Sequence, residues 1–258
     1  MLRDMPGSVQ SIERAAAILR LLAGGSGRLG VSEIAGSLGL TRGTAHGILR
    51  TLVGVGFVEQ DEETGKYRLG AALLHLGTSY LDVNELRSRA INWADALAAR
   101  SGEAVRIGTP LDGSVLVVHH VFRPDDTLQT LDVGALLPAH ATALGKVLLA
   151  YDAGAVAALN GTLEPFTRRT TTHPRELARA LADVRDLGWA TEVEEMTVGE
   201  AGIAAPIRGQ GGLVVGAMGV SGAVERICGP GGRPKKTLVT VVRDAARAVS
   251  RDLGASRW

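Results

Sequence analysis

The sequence predicts an α+β protein in two parts: a small N-terminal helical unit closed by a β-hairpin, and a larger C-terminal unit of helices and antiparallel strands, with a linker helix between them. Three observations carry this. The chain has 258 residues, 45% of them apolar and 21% charged, enough for two cores on a soft prior of roughly 150 residues per domain. Apolar residues recur at helical spacing as far as Leu52 and then give way to two short strand-like runs. Beyond Arg100, strand-like runs flank Asp112-Gly113, the strongest hairpin signal in the chain, and alternate with helical stretches.

The first helix is expected from Ser11, as its cap, to Ala23, with Ile12, Ala16, Leu19 and Leu22 on one face. A short helix covers Ser32–Leu38. After Gly39-Leu40 a third begins at Thr41, turns Ala45, Ile48, Leu49 and Leu52 inward, and stops at Gly54 and Gly56. Strands Phe57–Gln60 and Lys66–Leu69 follow, joined by an acidic tip ending in Gly65, a residue suited to positive φ. A leucine-rich helix over Ala71–Leu81 leads to a second over Asn84–Arg100. Strands are expected at Val105–Pro110, Ser114–Phe122, Ile203–Ile207 and Leu213–Val220, and helices at Ala141–Ala150, Pro174–Leu187 and Lys236–Leu253. Domain boundaries then fall at 1–70, 71–88 and 89–258.

Composition excludes several classes. The longest apolar run, Gly211–Val220, falls far short of the ~18 residues of a membrane span, and the start MLRDMPGSVQ lacks the apolar stretch of a secretory signal. A single cysteine, Cys228, can form neither an internal disulfide nor a thiolate-rich zinc site. A cytoplasmic protein is expected. Net charge is only +1 overall, yet residues 1–58 hold six arginines against three acids, a local +3. Such a segment suits a small nucleic-acid contact surface attached to something else.

Within VSEIAGSLGLTRGTAHGILRTL, Ala35, Gly39, Ala45 and Ile48 fit a helix-turn-helix. Ala35 is small where two helices cross, Gly39 serves the turn, and Ala45 and Ile48 pack the second helix on the first. The residues left outward on that second helix are Arg42, Gly43, Thr44, His46, Gly47 and Arg50. A helix of ~12 residues is ~18 Å long and enters the major groove of duplex DNA end-first, its early side chains at base edges. The glycines admit close approach of the backbone. The hairpin behind it is a wing, with Lys66 and Arg68 placed for phosphates. A helical bundle with no nucleic-acid role is the plainer alternative; the helix–turn–helix–wing order and the local arginine excess favour double-stranded DNA.

Other motifs weigh less. Gly25-Ser26-Gly27-Arg28-Leu29-Gly30 is a literal G-x-G-x-x-G, but no strand precedes it, as dinucleotide binding requires. His119 and His120, neighbours on a strand, point to opposite faces and cannot chelate one metal together. Ser221 lacks a full nucleophile elbow and an evident base. No catalytic residue, metal or cofactor is therefore expected. Cys228 reads as an incidental surface thiol rather than a redox sensor. The stripe Leu73, Leu74, Leu76 and Leu81 with Tyr80 serves either as core or as a dimer seam, and the little chain left to cover it favours the seam.

With the winged motif in place, the chain resembles the IclR family of bacterial transcription regulators from about Val9 to Leu253. The resemblance rests on VQSIERAAAILRLLAGG, the helix-turn-helix, the FVEQDEETGKYRLG wing, LPAHATALGKVLLAY at 137–151, EVEEMTVGEAGIAAPI at 192–207 and GAMGVSG at 216–222. At finer grain, SYLDVNELRSRA, VVHHVFRPDD and AVSRDLGA are similar to the branch that controls glycerol operons. The resemblance implies a winged-helix domain, a dimerising linker helix and a GAF-like α/β domain that binds a small effector. Carried over position by position, it puts Ala143 and Leu144 at the effector through backbone N–H groups. It sets Glu192 opposite them as a carboxylate acceptor, with Gly202, Gly219 and Ser221 on neighbouring strands. Gly219 stands where a serine is common and Gly202 where a cysteine can occur, so a small-acid effector anchored by several hydroxyls is not implied here.

A buried carboxylate repels an anion and accepts hydrogen bonds from hydroxyls. Glu192 therefore suits a small polyol such as glycerol, whereas glycerol 3-phosphate needs its charge held by backbone donors at a helix start, away from Glu192. Alternatively, Glu192 is a solvent-exposed strand-end residue in an acidic cluster with Glu194 and Glu195. The expected function is an effector-responsive regulator, binding operator DNA as a homodimer or homotetramer. An enzyme using the second domain's pocket is the rival, and a DNA-binding protein with a vestigial pocket a third reading.

Overall fold

The computed structural model describes residues 9–24, 28–73, 81–125, 129–159 and 163–255. The chain divides into two compact units, Met1–Leu81 and Asp82–Trp258.

In the first unit, α1 (Gln10–Ala23), α2 (Val31–Leu38) and α3 (Arg42–Gly54) precede the hairpin strands β1 (Val58–Gln60) and β2 (Tyr67–Leu69). Ile18, Leu22, Ile34, Leu49, Leu52, Val58 and Tyr67 form its core. The inward face of α1 is thus set by Ile18 and Leu22; Ile12, expected inward, is 67% exposed. Ser11 lies inside α1 and caps nothing, since Val9 holds the cap position. Gly39 closes α2 with φ +64° in the left-handed region, and Thr41 caps α3 by accepting from the Thr44 N–H at 3.2 Å. Gly30 opens α2, its N–H donating to Glu33 Oε2 at 2.6 Å. That glycine therefore serves a helix cap rather than a phosphate loop. Leu29 exchanges backbone hydrogen bonds with Tyr67, so the wing gains a third short edge that no pattern in the sequence announced.

In the second unit, α4 (Leu81–Ser101) leads to an antiparallel sheet of β3 (Ala104–Leu111), β4 (Ser114–Val121), β5 (Leu136–Pro138), β6 (Ala190–Val193), β7 (Glu200–Arg208) and β8 (Val214–Ala223). Spatial order is β5-β4-β3-β8-β7-β6. Asp112 and Gly113, both at positive φ, make the turn between β3 and β4. On one face α4 and α9 (Lys236–Asp252) pack Leu86, Ala90, Leu97, Val242 and Val249 onto Val105, Ile107, Ile203, Met218 and Val220. On the other face α5 (Ala143–Tyr151) and α7 (Pro174–Leu187) pack Leu144, Val147, Leu148, Leu177 and Leu181 onto Val115, Ala204 and Ala217. A short α6 (Ala153–Ala158) follows α5, and α8 (Val224–Ile227) follows β8. The small residues Ala204 and Ala217 let α5 approach the sheet closely. Gly145 lets α5 close on the segment that follows β5, since a Cβ there would overlap the backbone of Ala139.

Strands β5 and β6 and helices α6 and α8 are too short to leave a periodic signature. Leu74, Leu76 and Tyr80 of the leucine stripe lie outside the described residues, as do Gly25, Ser26 and Gly27. Cys228 is a core residue, 4% exposed, which corrects its reading as a surface thiol. Burial also raises its pKa and keeps it a protonated thiol.

Candidate DNA and effector sites

Helix α3 carries Arg42, His46 and Arg50 at i, i+4 and i+8, a single stripe along its exposed face. None of the three has an acidic partner among the described residues. Gly43 and Gly47 run beside the stripe, and a Cβ at either would meet nothing within 4 Å. Packing within the unit does not require those glycines, and Gly47, in mid-helix, costs α3 about 1 kcal/mol relative to alanine. Thr44 is half-buried, its hydroxyl 2.8 Å from that of Thr41, so it acts first as part of the helix cap.

The two wing cations differ. Lys66 precedes β2 and makes no ion pair among the described residues. Arg68 is paired: its Nη2 and Nε lie 2.9 and 3.0 Å from Glu59 Oε2, and this pairing holds the Glu59 carboxyl below its usual range. Half of the predicted wing charge is locally balanced.

In the second unit, alternation along the strands and the pairing register set the other site. Glu192, Gly202 and Ser221 are cross-strand partners in one row over β6, β7 and β8, and Gly219 pairs with Arg106 in the next row. All five face α5 rather than α4 and α9. With Ala143 and Leu144 at the start of α5 they line a cavity of about 240 Å³, so the six predicted positions converge on one space. The first N–H groups of α5 have no intrahelical acceptor; Thr142 Oγ1 takes the one at Gly145, at 3.2 Å, and those of Ala143 and Leu144 have no protein acceptor among the described residues.

Glu192 is 8% exposed, which removes the strand-end alternative. Its Oε2 accepts from the Glu195 N–H at 3.1 Å, while Oε1 has no protein partner among the described residues. Burial pushes its pKa up to about 7, helped by the Glu195 charge and opposed by that hydrogen bond and by Lys146. Lys146 is itself buried, donating to the Thr191 carbonyl at 3.2 Å and to Glu195. A Cβ at Gly202 would stand 3.5 Å from Glu192 Oε1 and 3.6 Å from the Ala143 Cβ, so the missing side chain keeps the cavity open between them. Gly219 is different. A Cβ there would come within 2.5 Å of the Ile203 carbonyl oxygen, so close strand packing excludes a hydroxyl-bearing side chain.

Sequence reasoning missed Arg106 and Asp132. They form an ion pair at 2.6 Å on the cavity wall, and Arg106 also donates to Ser221 Oγ. The Ser221 hydroxyl is therefore already engaged. Asp132 sits in a loop with no periodic signal, but Arg106, a charge inside an apolar strand run, was a signal available in the sequence. His119 and His120 point to opposite faces, burial lowers the pKa of both, and no metal-binding cluster occurs among the described residues.

Comparison with known proteins agrees with this geometry. The IclR helix-turn-helix domain matches residues 11–62, and the bacterial transcriptional regulator IclR C-terminal domain matches residues 78–251. The chain belongs to the IclR family. Two curated relatives are glycerol operon regulatory proteins of Streptomyces coelicolor and Streptomyces griseus. They are 57% and 54% identical, each over 98% of this chain and 100% of the relative. The crystal structure of an IclR homolog from Microbacterium hydrocarbonoxydans, complexed with 4-hydroxybenzoate, superposes with a TM-score of 0.82 at 25% identity, covering 96% of this chain and 100% of that one. This IclR protein is thus a DNA-binding transcription regulator with an effector-binding domain, and the enzyme alternative falls. No helix among its described residues is long and apolar enough to cross a membrane.

Proposed function

We propose that this regulator controls a glycerol catabolic operon in the cytoplasm, responding to a small polyol, glycerol or glycerol 3-phosphate. The observation that supports it most is the full-length identity to two proteins named for that operon. Chemistry supports it from a second side: the cavity offers a carboxylate oxygen at Glu192 and amide donors at Ala143 and Leu144. A polyol donates one hydroxyl to Glu192 and accepts at the amides. A phosphate sits at the helix start, where N–H groups and the macrodipole favour an anion.

Residues 1–70 bind DNA, 71–88 link and dimerise, and 89–258 hold the effector. A homodimer, alone or paired into a homotetramer, presents two copies of α3 to a pseudo-palindrome. Arg42, Thr44, His46 and Arg50 meet bases or adjacent phosphates, Gly43 and Gly47 admit the backbone, and Lys66 and Arg68 meet phosphates.

A fluorescence titration on the upstream intergenic duplex tests this, run at fixed salt against a scrambled duplex, with and without each compound. Specific binding altered by either compound is expected. Specific binding that neither alters would discard the glycerol assignment and leave a vestigial or differently tuned pocket. Equal binding to the scrambled duplex would remove the operator assignment.

A further inference from the structure

From Ala143 to Ala150 helix α5 is buried throughout, and Lys146 is the one charged residue in that stretch. A buried ammonium is costly unless it is paired, and replacing a buried ion pair by apolar side chains of like volume is often neutral or stabilising. Packing of α5 on the sheet and on α7 therefore does not call for a lysine at this position.

Its contacts do. The ammonium crosses from α5 to β6 and the bend that follows, donating to the Thr191 carbonyl at 3.2 Å and to Glu195. Thr191 directly precedes Glu192 on β6, and the Glu195 N–H donates to Glu192 Oε2 at 3.1 Å. Lys146 thus holds Glu192 from both sides along the chain, through the backbone before it and through the residue that orients its carboxylate. At its other end Lys146 lies one turn after Ala143, on the helix start that lines the cavity. One side chain ties the two walls together, although neither Lys146 nor Glu195 lines the cavity.

The bend after β6 needs such a tie. Glu194 holds φ +58°, a region that residues other than glycine rarely enter and keep only where their surroundings over-determine it. Thr170 Oγ1 donates to the Glu195 carbonyl at 2.6 Å, and Thr167 Oγ1 to that of Glu194. Those hydroxyls fix backbone alone. The Glu195 carboxylate has Lys146 as its one ion-pair partner among the described residues, and its buried Oε2 meets no donor among them. Without the ammonium, an uncompensated carboxylate would stand beside Glu192 on a bend already under strain.

We propose that Lys146 is a positioning residue of the effector site: it sets the separation between the amide donors on α5 and the Glu192 acceptor on β6, acting on the effector through Glu195 and Glu192. The proposal rests on the reading of this cavity as the effector site.

Isothermal titration of the full-length protein with glycerol and with glycerol 3-phosphate, at pH values on both sides of the Glu192 pKa of about 7, tests it. Lys146→Met removes the charge and keeps most of the side chain's length. Affinity for the compound that binds should fall about tenfold, since a charged hydrogen bond lost is worth roughly that factor or more. The ammonium also favours the carboxylate form of Glu192, so the midpoint of the pH dependence should move up by about one pH unit. A side chain that merely filled space would move no midpoint. Glu200 on β7, Arg106 on β3, Asp132 before β5 and the Cys228 thiol are the other ionisable groups around Glu192, and the variants leave them in place. Lys146→Met/Glu195→Gln removes both charges, so it should fold even where the single variant fails with its unpaired carboxylate. It should bind about tenfold more weakly than the parent, with the midpoint returned toward the parent's. Parental affinity in the double variant would overturn the proposal alone, as would a single variant whose midpoint stays in place. Binding of neither compound by the parent would overturn the effector reading, and this proposal with it.

Discussion

At single residues, the cavity proposed for the effector depends on one carboxylate and two glycines. Glu192 has its pKa near 7 in the folded protein against 4.5 as the ordinary value. The folded state therefore holds its proton more tightly, and stability falls as pH rises from about 4.5 through about 7, then levels off. The window is worth at most roughly 3 kcal/mol. Glu192→Gln should flatten that slope, which thermal melts across the range would read; an unchanged slope would place the titration elsewhere. A polyol hydroxyl donates to the carboxylate form, so polyol affinity should rise with pH through 7 in the parent and lose that dependence in the variant. The glycines differ by their surroundings. Gly202→Ser meets only ordinary contacts and should fold normally, whereas Gly219→Ser drives a side chain into β7 and should cost about 1–3 kcal/mol. Chemical denaturation of the pair would show it, and equal stabilities would contradict the packing argument.

Among elements, α3 and the wing separate folding from recognition. Gly47→Ala fills open space in mid-helix, so it should raise stability by about 1 kcal/mol. The same methyl group stands where DNA would approach, so operator affinity should fall; a variant that is more stable and binds as well would deny the close approach. On the wing, Lys66→Ala should lower the slope of log affinity against log salt by about one, while Arg68→Ala should change it less, because Glu59 already balances that charge. These elements were legible because their signals are local: Gly39 in the turn, Thr41 at the cap, apolar residues at helical spacing, Gly65 at the hairpin tip. Of the face expected for α1, Leu22 and Leu19 do meet the core, whereas Ile18 rather than Ile12 is the buried isoleucine; the two are equally apolar, and only tertiary packing selects one. The resemblance named six positions that the structure brings to one cavity. Arg106 and Asp132 escaped because their meeting depends on a long-range register and a loop contact, neither of which leaves a periodic trace.

For the whole molecule, regulation requires that effector and DNA each distinguish two states of the protein. A ligand that bound both states equally would change nothing, however tightly it bound. The row proposed for the effector lies on β6, β7 and β8 beneath α5, while α4 and α9 cover the opposite face of the same sheet. Helix α4 begins inside the segment proposed to dimerise, and its Leu86 and Ala90 are buried in the core of the C-terminal unit. A change in how the sheet sits on its helices therefore has a covalent route toward the DNA-binding unit. Linkage then gives a quantitative demand: if the polyol weakens operator affinity by about tenfold, saturating operator must weaken polyol affinity by the same factor. Titrating the polyol calorimetrically into free and operator-bound protein checks it. Gly202→Leu, which places a side chain between Glu192 and Ala143, should abolish polyol binding yet leave operator affinity in one of the two limits the parent shows, with or without polyol. An intermediate affinity that still responds to the compound would mean that the effector acts somewhere other than this cavity.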